Sequence, residues 1–148
     1  MTLISSTRRI SDLDAGLILS PERYDPRRKS SNSGALLSEI VSSQRDTVNS
    51  SKGEPFMRLL VIDTGDADRG LLFPKNAELA LASLGSTKKR VKPGDVIISR
   101  LRPYLRQVAY VPDDLASPGV EIVCSTEFFV LRSLNGESIA FLVPYLLS

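Results

Sequence analysis

The stretch that decides the fold is Lys88–Arg106, KKRVKPGDVIISRLRPYLR. Its centre, Lys92-Pro93-Gly94-Asp95, is a turn signal, because proline presets φ at the second turn position and glycine accepts a positive φ at the third. Val96-Ile97-Ile98 follows, a β-branched apolar run of the kind that packs as a buried strand. Arg100, Arg102, Pro103, Tyr104 and Arg106 come directly after it. On an extended backbone Arg100 and Arg102, two residues apart, project from one face. A buried strand that delivers arginines and a tyrosine at its far end suits a reader of polyanions. The bland alternative is a solvated surface loop.

The basic charge of the chain is concentrated in this stretch. Residues 86–109 hold seven Lys/Arg against one Asp/Glu, whereas residues 60–85 hold two against four and residues 110–148 one against five. A formal net charge of +2 for the whole chain hides this contrast. A local excess of positive charge fits a phosphate-facing surface.

The remaining pattern is α+β. Strands are expected at 57–62, 96–98, 107–111, 121–124 and 127–132, each an apolar run bounded by turn residues. Helices are expected at 35–45, where Ser33 offers a cap and Leu36, Leu37, Ile40 and Val41 share a face, and at 137–147, shortened or kinked by Pro144. Residues 76–84 are ambiguous and lean towards helix on their alanines and leucines. No βαβ alternation is present, so the expected architecture is a mostly antiparallel or mixed, curved sheet with a few short helices, in a single domain over 1–148. Tyr24, Arg27 and Arg28 lie in a proline-broken basic loop before a serine-rich stretch, a second candidate patch for nucleic acid.

Several chemistries are excluded or disfavoured. The chain contains no histidine and one cysteine, Cys124, which removes the commonest general base and any thiolate zinc site. Cys124 sits in an apolar strand, where a small buried hydrophobe is its expected role. No phosphate-binding glycine motif occurs. Asp63, Asp66 and Asp68 do not fit a calcium loop, because the glycine falls early and Ala77 occupies the place of the bidentate glutamate. Asp114 and Glu121 faintly suggest a magnesium nuclease, but Val123 stands where a lysine would be needed. No catalytic residue, metal or cofactor is therefore expected. The N-terminus lacks an apolar signal core and no run is long enough to span a membrane, so a cytoplasmic location is expected.

From Arg58 onwards, the order of motifs resembles the target recognition domain of type I restriction–modification specificity subunits. The matching residues are Arg58–Asp63 running into Asp68-Arg69-Gly70-Leu71, then Lys92-Pro-Gly-Asp-Val-Ile-Ile-Ser-Arg100, Pro103 to Val111, Ser125 to Arg132, and the closing Pro144-Tyr145-Leu146-Leu147-Ser148. The resemblance implies a non-catalytic module that binds half of a bipartite double-stranded DNA target and directs a partner adenine methyltransferase subunit. Such subunits carry two recognition domains, each followed by a long spacer helix, and the sequence stops before one. A fragment, a half-subunit that pairs with a second recognition domain or another copy, and a stand-alone relative all remain open. Arg100, Arg102, Tyr104 and Arg106 are expected to contact base edges or nearby phosphates, since arginine matches both bidentately. Lys88, Lys89, Arg90 and Lys92 are expected to grip phosphates, with Arg27 and Arg28 as the second patch. A protein-interaction or inhibitor module using the same fold is the alternative.

Overall fold

A computed structural model of the chain describes residues 34–51, 57–76, 78–101 and 103–147. The chain divides into two compact units after Ala35, and the described sheets and helices lie in the second, Leu36–Ser148. Its strands are β1 (Val41–Gln44), β2 (Thr47–Val48), β3 (Arg58–Ile62), β4 (Ala67–Asp68), β5 (Leu71–Leu72), β6 (Leu79–Ala80), β7 (Lys88–Val91), β8 (Val96–Ser99), β9 (Val108–Tyr110), β10 (Val120–Ser125) and β11 (Phe128–Ser133). Two short helices complete it, α1 (Leu37–Ile40) and α2 (Leu142–Leu147).

The architecture is α+β, and the strands divide between two main sheets. One has the order β1-β11-β8-β9 and is antiparallel throughout. The other has the order β2-β7-β10-β3-β6 and is mixed, because β3 and β10 run parallel. The β4–β5 hairpin stands apart and is tied to β9 through a bridge between Gly70 and Ala109.

Alternation along the strands explains why so many apolar residues run consecutively. On β10, Ile122 and Cys124 enter a core shared with Ile62, Ile97, Phe128 and Val130. Val123, between them, faces the opposite side with Leu59, Val61 and Leu81. On β8, Ile97 joins the shared core while Val96 packs beneath Ile139 and Leu142. Sheets covered on both faces need this uninterrupted hydrophobicity. Fully burying a side chain such as Phe128 or Ile97 contributes about 1.5–3 kcal/mol.

Three helical expectations are corrected. The helix expected over 35–45 is confined to α1, because Val41–Gln44 pairs with Val130–Ser133 as an edge strand. Residues 79–80 form a strand on β3, followed by a 3-10 turn at Leu81–Ser83, so edge pairing overrides the weak helical preference. The closing helix begins only at Leu142, which puts Pro144 in its first turn, where the missing N–H has no helical partner to lose. The expected cap Ser33 lies outside the described residues.

Candidate nucleic-acid interface

The β8–β9 hairpin places the arginine-rich segment. Its strands register Ile97 against Ala109 and Ile98 against Val108, and Ser99 N donates to Gln107 O at 2.9 Å to close the base of the loop. Strand β8 stops at Ser99, whose hydroxyl donates to Leu101 O at 3.0 Å and accepts from Leu101 N at 3.2 Å. Arg100 therefore lies at a bend just past the end of the strand. Arg102 lies outside the described residues. Pro103–Leu105 form a 3-10 turn with Tyr104 at its tip, 74% exposed. Arg100 and Arg106 are exposed with it.

The loop is braced by two neighbours. Arg100 N donates to Glu127 O at 2.8 Å, and the Arg100 guanidinium lies 5.6 Å from the Phe129 ring centroid. Lys89 Nζ approaches the same ring at 6.0 Å, so Phe129 on β11 has two cations near its ring. From the other direction, the β4–β5 turn reaches the loop's exit: Arg69 N donates to Arg106 O at 3.1 Å, and Gly70 N to Val108 O at 2.7 Å. Gly70 takes φ +100, and a Cβ there would stand 2.9 Å from Val143 of α2. The turn is thus seated against the closing helix.

The basic run 88–92 does not present one face. Lys88 and Arg90 alternate with Lys89 along β7, and each has a partner inside the fold. Lys88 Nζ contacts Asp63 Oδ1 at 3.1 Å, Lys89 Nζ donates to Phe128 O at 2.6 Å, and Arg90 pairs with Glu121 and, at 3.4 Å, with Asp46. Lys92 is exposed at the turn. Arg27 and Arg28 lie outside the described residues.

A contact that the sequence shows only as two separate motifs organises this region. Asp95 is buried and receives Arg132 Nε at 2.8 Å and Arg132 Nη2 at 2.7 Å, together with Lys92 N at 2.8 Å. Its carboxylate pushes the Arg132 pKa upward through that hydrogen bonding. Arg69 and Phe129, the two braces of the loop, fall within the matching motifs but are given no part in the site by the sequence. Their only signal is chemical: a cation in a glycine turn, and an exposed aromatic on an otherwise buried strand. Glu121 is held by Arg90, and among the described residues no three His, Cys, Asp or Glu side chains come together as a metal site. Burial pushes the Cys124 thiol up to about 12. No helix among the described residues is long and apolar enough to cross a membrane.

The sequence matches no protein-family model and no curated protein. Solved structures do share its fold. One, from a study of complex assembly and conformational transition of the type I R-M system, is 26% identical with a TM-score of 0.63, over 77% of this chain and 28% of that one. Another, the HsdS subunit from Thermoanaerobacter tengcongensis, is 29% identical with a TM-score of 0.54, over 68% of this chain and 25% of that one. The chain spans about a quarter of the length of the chains it matches. The resemblance to a specificity-subunit target recognition domain thus holds at the level of the fold.

Proposed function

We propose, from the fold shared with type I specificity subunits, that this chain is a non-catalytic module that binds double-stranded DNA sequence-specifically and directs a partner adenine methyltransferase to its target. The observation that carries this reading is the β8–β9 loop. A hairpin buried on both faces holds exposed Arg100, Tyr104 and Arg106 on a short, hydrogen-bonded base. Rigid support of this kind lets arginines meet base edges in fixed register. Arg100, Arg102, Tyr104 and Arg106 would read bases or adjacent phosphates. Lys92 would grip the backbone directly, and Lys88, Lys89 and Arg90 would add a more weakly expressed positive field, since their charges are partly neutralised within the fold. Arg27 and Arg28 would form a second patch of their own. The expected partners are duplex DNA, a methyltransferase subunit and a second recognition domain or copy of this chain, in the cytoplasm.

Alanine substitution tests the assignment. Arg100→Ala should weaken binding to the preferred duplex by about 1–3 kcal/mol, with relaxed preference at one position, and Arg106→Ala should weaken binding as well. Lys92→Ala should weaken all duplexes alike. Unchanged binding in all three variants would remove the loop from the interface.

A protein-interaction role is the second reading, favoured by Leu101 at 51% and Leu105 at 40% exposed in the same loop. Binding to an acidic protein partner, with little dependence on salt, would support it.

A further inference from the structure

Among the described residues, two that bear side chains take left-handed backbone conformations, Arg69 with φ 45 and Arg106 with φ 52. Both are arginines, both are exposed, and they are joined directly by the hydrogen bond from Arg69 N to Arg106 O. Left-handed backbone is disfavoured for any residue with a Cβ, and glycine would occupy both positions without that cost. Residues held in such conformations gather at functional sites, where the side chain is worth more than the local strain. Neither guanidinium is well neutralised. Arg69 has its neighbour Asp68 at 3.9 Å, an exposed contact, and no carboxylate among the described residues pairs with Arg106. The turn that carries Arg69 lies close against Val143 at Gly70 and hydrogen-bonds to Arg106 and Val108, so the two arginines stand where two separate loops meet.

We propose that Arg69 and Arg106 form a phosphate clamp that holds one stretch of DNA backbone and sets the register of the β8–β9 loop, without reading a base. The inference rests on the DNA-binding reading above and extends it to a second loop. Two exposed arginines on backbones that are hydrogen-bonded to each other, with little acidic company, suit a phosphodiester oxygen pair. Their hydrogen-bonded backbones keep the pair in fixed relation.

Glycine makes the decisive variant. Arg69→Gly and Arg106→Gly relieve the backbone while deleting the guanidinium, so thermal stability should stay level or rise. Arg69→Lys restores the charge alone. With the full chain, binding is titrated against salt on a duplex selected for tight binding and on a scrambled duplex. The clamp predicts that each glycine variant loses affinity for both duplexes by a common factor, and that the salt slope falls by about 1 per arginine. It also predicts that Arg69→Lys recovers part of that slope. Unchanged affinity in Arg69→Gly overturns the clamp while leaving the DNA-binding reading intact. Loss confined to the selected duplex, with the slope preserved, overturns it in favour of base reading. If the unaltered chain binds neither duplex, the underlying reading fails and the clamp with it.

Discussion

The Asp95 carboxylate accepts two hydrogen bonds from the Arg132 guanidinium, at 2.8 and 2.7 Å, and so joins the turn before β8 to the far end of β11. Asp95 is 1% exposed. A buried carboxylate in that position requires a partner, and a bidentate arginine satisfies both oxygens at once. The Lys-x-Gly-Asp turn and the Leu-Arg end of the last long strand are therefore two halves of one contact. Asp95→Ala would leave Arg132 without its counter-charge and Lys92 N without its acceptor. The expected loss is about 3 kcal/mol of stability, read from urea denaturation. A loss below about 0.5 kcal/mol would show that the contact is incidental.

Gly70 is the tightest point of the β4–β5 turn. Alanine there must adopt φ +100 and meet Val143 at 2.9 Å. Gly70→Ala should cost about 2 kcal/mol, and adding Val143→Ala should recover the steric share and leave the backbone share. Simple additivity of the two substitutions would contradict the contact.

Cys124 gives the pH dependence. Its thiol is raised from an ordinary 9.0 to about 12 in the folded chain, chiefly by burial. Between those values the unfolded chain loses the proton and the folded chain keeps it, so stability falls as pH rises above about 9, by roughly 1.4 kcal/mol per unit from this group. Cys124→Ala should flatten that portion of the profile. Rapid alkylation of the native thiol at neutral pH would contradict its burial.

Phe129 should act on binding through Arg100. Removing the ring in Phe129→Ala frees the guanidinium from its 5.6 Å contact. DNA affinity should fall by up to about 1 kcal/mol. The same substitution in an Arg100→Ala background should add little, and a full additive loss would assign Phe129 a contact of its own with DNA.

Much of the sheet is legible in the sequence because the middles of its central strands are buried. Arg58–Ile62, Val96–Ser99 and Val120–Ser125 announce themselves as apolar runs between turn residues, and Gly94 takes the positive φ that the Lys92–Asp95 turn demands. Edge elements are less legible. Val41–Gln44 and Leu79–Ala80 become strands only because a neighbour offers unpaired backbone, and no local preference encodes that neighbour. The same limit applies to the candidate site. Arg100, Tyr104 and Arg106 stand out by composition, whereas Arg69 joins them through a hydrogen bond across 37 residues of sequence. The pairing of Lys88, Lys89 and Arg90 within the fold is equally a tertiary fact, since the carboxylates and carbonyl that receive them come from other strands and loops.

The most direct measurement is selection of the full chain against a randomised duplex DNA pool, sequenced after several rounds and repeated at low and high salt. A recognition module predicts enrichment of one short motif, with affinity for it falling steeply as salt rises. Recovery of an unenriched pool at low salt, or no retention of DNA at either salt, would contradict sequence-specific recognition by this chain.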